Sequence, residues 1–270
     1  MNKYALLLLG LMPILLFSQA SRQYYHIPNA WMDVNVSGKL YKKFSWQIEN
    51  SHRRQDMQGE YNESTTTGNL FHSFGQHVVR PYVHYQLSPK IRFSLMPLGW
   101  IGSNRFNEGN PISFFSELRI SPQVMLTQFL GKLKLDNRLR YEMRWIGQNQ
   151  PVDDKSFIYA GDFSSSTFRE RLRYQLKLNL PFGREKISDK TLYGILSNEV
   201  FIQVGNQIPR ANVLDQNRIL IGLGYSVNRS LSIELAYQRQ TIFRLNNTLK
   251  NNVDLNNILY VNMIVSNLNL

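Results

Sequence analysis

Residues 133–145 read Leu-Lys-Leu-Asp-Asn-Arg-Leu-Arg-Tyr-Glu-Met-Arg-Trp, and their alternation decides the fold. Leu133, Leu135, Leu139, Tyr141, Met143 and Trp145 share one parity, while Lys134, Asp136, Arg138, Arg140, Glu142 and Arg144 share the other. A helix would mix the two sets; a strand puts them on opposite faces. Residues 168–180 repeat the pattern, with Leu172, Tyr174, Leu176, Leu178 and Leu180 set against Arg169, Arg171, Arg173, Gln175, Lys177 and Asn179.

Working outward, the same period of two recurs along the chain. Segments at 32–40, 44–48, 77–87, 91–100, 114–129, 133–145, 168–180, 192–204, 216–227, 231–241 and 256–268 make eleven strands. Short turns fall at 41–43, 88–90, 130–132 and 228–230, with a longer one at 181–191. Long polar connections fall between them at 53–75, 102–113, 147–167, 205–215 and 243–255. Long strands joined alternately by short and long connections predict an all-β transmembrane antiparallel β-barrel, with short periplasmic turns and long extracellular loops. A soluble sandwich or lipocalin also alternates, but its usual strands of about five or six residues are shorter than these. An even strand count is the rule for such barrels, so about 12 strands are expected, with residues 22–28 either a short twelfth strand or a segment passing through the lumen. Pro81, Pro97 and Pro122 lie inside predicted strands, where each removes a ladder donor and predicts a bulge or a bent strand. Trp31, Tyr41, Phe44, Trp100, Trp145, Phe168 and Tyr225 sit at or near strand ends, as an interfacial girdle would place them.

The chain has 270 residues, 43% of them hydrophobic, with a net charge of +12 and no cysteine. Disulfides, thiolate metal sites and an anchor on an N-terminal cysteine are therefore excluded. Such a charge would suit nucleic acid, but the N-terminus argues against it. Lys3 precedes an apolar run from Ala5 to Phe17, and Ser18-Gln19-Ala20 follows. This is the pattern of a secretory signal peptide over 1–20, cleaved after Ala20 and leaving one domain over 21–270. The apolar run, about 20 Å as a helix, is too short to span a bilayer core of about 30 Å. Export by the general secretory route to the outer membrane of a Gram-negative cell is the expected destination.

Asn198-Glu199-Val200-Phe201, Asp215-Gln216-Asn217-Arg218, Gly222-Leu223-Gly224-Tyr225 and the run Leu231 to Gln238 (LSIELAYQ) occur in that order. With Trp31, Lys42-Lys43 and Leu139-Arg140-Tyr141-Glu142, they resemble an outer-membrane barrel family of Bacteroidota, the domain of unknown function 2490. The resemblance implies an outer-membrane β-barrel and implies no particular activity.

Charge on the inward parity is the main functional signal. Arg80, Arg92, Arg119, Arg138, Arg140, Arg144, Arg169, Arg171, Arg173, Lys177 and Arg218 are expected to face the lumen, with Glu49, Glu117, Glu142, Glu199 and Glu234 as acidic partners. A basic lumen would prefer anions, since arginine forks suit phosphate and carboxylate. The alternative is that these charges pair and fill a narrow barrel. Six of the arginines, on the strands at 133–145 and 168–180, predict one basic patch in which Glu142 neutralises a single member and Glu170, on the other parity, none. The expected function is a non-enzymatic barrel, a narrow channel or structural membrane protein, without cofactor or metal, showing anion-selective conductance if open. An accessory subunit of a larger outer-membrane assembly, contacting partners through loops 53–75 and 147–167, is the second reading. Expected partners are outer-membrane lipid and lipopolysaccharide, an anionic solute and other outer-membrane proteins. An enzyme is not expected: His26, His52, His72, His77 and His84 form no recognisable metal pair, and His72-Ser73 with His77 lacks the wall position that a membrane lipase needs. Gly222 and Gly224 read as strand glycines making room for large neighbours.

Overall fold

The computed structural model describes residues 23–56, 70, 71, 73–105, 113–151, 162–206, 208, 213–243 and 252–269. The predicted leader, its cleavage site, His72 and most of the long connections lie outside the described residues. The strands are β1 (Gln23–Lys39), β2 (Phe44–Gln55), β3 (Ser73–Ser88), β4 (Ile91–Arg105), β5 (Ser113–Leu130) and β6 (Leu133–Gln148). They continue with β7 (Asp162–Pro181), β8 (Thr191–Val204), β9 (Leu214–Ser226), β10 (Leu231–Phe243) and β11 (Asn252–Asn269). Gln150–Pro151 adds a two-residue pairing beside the start of β5.

Each strand pairs with its sequence neighbours antiparallel, β4 pairs with β5, and β1 closes the cylinder against β11. The barrel therefore has eleven long strands, and the expected twelfth is absent from the described residues. Residues 23–28 instead form the start of β1, in register with 252–257 of β11. An odd count leaves the first and last strands running the same way, so this closing pair is parallel, from Gln23↔Asn252 to Lys39↔Asn269. Side chains reinforce the seam: Asn35 donates to Asn262 at 2.7 Å, and the Tyr260 hydroxyl donates to Asp33 at 3.1 Å.

The short connections are tight turns. Phe44 N donates to Tyr41 O at 2.8 Å, and Gly131 supplies the positive φ of +56° in the two-residue turn from β5 to β6. Two of the three prolines act as predicted, with register shifts between Val79 and Val83 around Pro81 and between Met96 and Gly99 around Pro97, whereas the register is unchanged across Pro122. The β5–β6 ladder passes over Ser121 and Pro122. The Pro97 shift changes which parity points inward: Ser94 and Met96 are buried before it, Ile101 and Ser103 after it.

The outer face is apolar along its length, with Leu139, Leu196, Ile221, Leu223 and Leu235 all exposed. The interior is polar. Trp31 departs from the girdle reading: it is 5% exposed and points inward, whereas Tyr41, Phe44 and Tyr225 are exposed and Trp145 tilts against Phe168 with ring centroids 5.1 Å apart. Gly224 leaves room for the Tyr193 ring, which a Cβ there would overlap.

Candidate functional site: the interior ion-pair network

Strand register stacks the inward residues of β5 to β8 into rows. Arg119, Arg144 and Arg169 share one row, Gln123, Arg140, Arg173 and Phe201 another, and Met125, Arg138, Gln175 and Glu199 a third. Strands about 4.8 Å apart thus bring several guanidinium groups into reach of one another. The carboxylates decide the outcome.

Glu142, completely buried, lies at the centre. Its Oε2 accepts from Arg171 Nε at 2.9 Å and Nη2 at 2.6 Å, and its Oε1 accepts from Arg173 Nη1 at 2.5 Å. Arg119 Nη1 and Arg140 Nη1 stand 3.5 and 3.9 Å from the same Oε1. Sequence reasoning assigned this carboxylate one arginine, and it serves four, because it stands opposite Arg171 in the β6–β7 register, between the row of Arg119 and the row of Arg140 and Arg173. Glu199 Oε1 accepts from Arg173 Nη2 at 2.7 Å and Arg138 Nη2 at 2.8 Å. Glu117 pairs with Arg119 and accepts from Arg144 Nε at 2.6 Å. Arg171 Nη1 also donates to Asp215 Oδ2 at 2.6 Å.

The remaining predicted residues join from other strands. Arg80 pairs with Glu49 at 2.8 Å, and Lys177 reaches across to Glu234 at 3.0 Å. Glu234 also accepts from Asn262 at 3.0 Å and the Tyr193 hydroxyl at 3.3 Å. Eight of the eleven predicted cations thus have a carboxylate within 4.0 Å, namely Arg80, Arg119, Arg138, Arg140, Arg144, Arg171, Arg173 and Lys177. The structure brings all five predicted glutamates into this network. Glu170 points away from it, as its parity requires, and accepts from the Tyr141 hydroxyl.

Aromatic rings fill the space between the ions. Phe201, completely buried, has the guanidinium carbons of Arg173, Arg218 and Arg171 at 4.3, 4.6 and 4.9 Å from its ring centroid. Trp31 lies under Arg53 at 3.8 Å and Arg218 at 5.1 Å, joining β1, β2 and β9 across the interior. Arg140 of β6 faces the Tyr82 ring of β3 at 5.4 Å. These rings, with Arg53 and Asp215, are among the interior residues that sequence reasoning missed. Phe201 and Tyr82 had the correct parity, whereas Arg53 and Asp215 fell in segments read as loops.

Towards the short-turn end neutral groups join in: His84 contacts Ser94 at 2.7 Å and Gln47 at 3.1 Å, and Gln47 donates to Asn35 at 3.2 Å, while Lys134 pairs with Asp136 at 2.8 Å and Arg92 Nη2 stands 3.7 Å from Met125 Sδ. His52 and His77 instead face outward as a cross-strand pair, with ring centroids 5.9 Å apart.

A closed all-β cylinder with an apolar exterior and an ion-paired, aromatic-filled interior defines the chain as a β-barrel protein with its polar residues inside. The family model of DUF2490, described as a protein of unknown function, matches residues 28–251, and the chain belongs to that family. No curated protein matches it.

Proposed function

We propose that this chain is a non-enzymatic outer-membrane β-barrel acting as a structural membrane component, its interior closed at rest by ion pairs rather than open as a pore. The single observation that carries this reading is Glu142, which gathers four guanidinium groups in an interior where Phe201 and Trp31 pack against arginines. Charges held this way are compensated and packed, so they stabilise one arrangement of the walls instead of lining a wide aqueous path. The apolar outer face supports membrane insertion, as do strands of 12 to 20 residues, long enough to cross a bilayer and project beyond it. The exposed Tyr41, Phe44 and Tyr225 fit the interfacial ring at the short-turn end.

The signal-like N-terminus supplies the route, and the short turns then face the periplasm. Cell fractionation tests the reading. The mature protein is expected to begin at Ser21, sediment with the outer membrane and resist carbonate extraction. It is also expected to migrate differently on gels with and without heating, as a folded barrel does. Recovery in the soluble periplasm would overturn the proposal.

A further inference from the structure

Arg92, Arg169 and Arg218 are the predicted cations with no carboxylate within 4.0 Å among the described residues, and of these Arg169 shares a cavity with a second unpartnered donor. It occupies the row of Arg119 and Arg144 near the long-loop end, directly across from Arg144 in the β6–β7 register. Like charges opposite one another on neighbouring strands repel. Arg144 is compensated by Glu117, but among the described residues no carboxylate pairs with Arg169. Its Nη1 is buried and has no hydrogen-bond partner. One strand away, Gln203 is 3% exposed, and its Nε2 is likewise buried without a partner.

Arg169 and Gln203 line the same cavity, of about 220 Å³, together with Asn206, the carboxylate residue Glu170 and the apolar Phe168, Val204 and Ile208. Arg169 also lines a second cavity, of about 490 Å³, with Thr167, Gln148 and Asn149. Of the Glu170 carboxylate in the smaller cavity's lining, Oε1 accepts from the Tyr141 hydroxyl, and no ion pair joins it to Arg169 among the described residues. Buried donors without acceptors are costly, and two of them on one cavity wall beside an uncompensated positive charge call for an acceptor from outside the protein.

We propose that this pair of cavities at the long-loop mouth binds a phosphate group, with the Arg169 fork and the Gln203 amide as its donors. A fork from one strand and an amide from the next surround a tetrahedral oxyanion better than a planar carboxylate. The larger cavity, on the other side of Arg169, takes whatever the phosphate is attached to. The site goes beyond the closed-barrel reading and does not depend on it.

The test is titration calorimetry on the folded, detergent-solubilised protein with inorganic phosphate, and flotation with vesicles of phosphatidylethanolamine with or without lipopolysaccharide. Saturable phosphate binding is expected, weakened about tenfold or more in Arg169→Gln and several-fold in Gln203→Leu, as loss of charge-assisted and neutral donors implies. Arg92→Gln should leave it unchanged. Binding of free phosphate assigns the site to a soluble source. Lipopolysaccharide-dependent flotation that is lost in the same variants, without binding of free phosphate, assigns it to a head group. Gln203→Leu carries the test if Arg169→Gln does not fold. Absence of both kinds of binding, or wild-type binding in the folded variants, would overturn the proposal. Recovery of the protein as a soluble species, with phosphate still bound, would overturn only the membrane reading.

Discussion

Arg173 Nη1 donates to Glu142 Oε1 at 2.5 Å while the other edge of the same guanidinium donates to Glu199 at 2.7 Å. One arginine of β7 thereby links carboxylates of β6 and β8, and the three strands are tied through their side chains as well as their ladders. With both carboxylates buried, this tie is where the interior is most sensitive to a single change.

Glu142→Gln removes the only negative charge shared by Arg119, Arg140, Arg171 and Arg173. Breaking a buried pair while its partners remain costs about 3–5 kcal/mol. Urea unfolding of the detergent-folded barrel should show a loss of that size, and a change under about 0.5 kcal/mol would mean the arginines are compensated by water instead.

The two faces should respond oppositely to added charge. Leu139→Arg and Leu223→Arg on the exposed outer face should each cost about 2–4 kcal/mol if they lie near the bilayer midplane. Gln175→Arg, on the inner parity in the row of Glu199, should cost less. Unfolding in lipid vesicles measures the difference, and equal damage would contradict the assignment of the outer face to lipid.

Phe201 supports three guanidinium groups and touches no solvent. Phe201→Ala removes the ring and leaves a void, costing about 3–5 kcal/mol. It should also loosen the interior enough to raise ion leak through vesicles holding the protein. Phe201→Leu, which keeps most of the volume, should lose stability by less and leak little.

Much of this arrangement was legible in the sequence, for a local reason. Residues two apart share a face, so the eleven strands, the five glutamates and the inward arginines could be read from short windows such as 133–145. What escaped depended on distant pairings. The seam joins residues 227 apart, such as Asn35 and Asn262, and nothing near either one signals the parallel closure. The even-count rule therefore pulled the expectation to twelve, while residues 23–28 simply lengthen β1. Trp31 looked like a girdle residue because it fell at the end of the strand predicted over 32–40, whereas β1 begins at Gln23. Its burial follows from Arg53 and Arg218, which approach it from β2 and β9. The reach of Glu142 was underestimated because parity places a residue on a face without giving the register between strands, and register sets Glu142 opposite Arg171 with Arg119, Arg140 and Arg173 in the rows on either side.

The central claim, that the ion-paired interior is closed at rest, is tested most directly by planar-bilayer recording of the purified barrel. The account predicts no steady conductance from the wild type, and an anion-selective conductance once Glu142→Gln leaves its arginines uncompensated. A steady anion-selective conductance from the wild type, lowered or reversed when Arg140, Arg171 and Arg173 are replaced by Gln, would contradict it and show an open anion path.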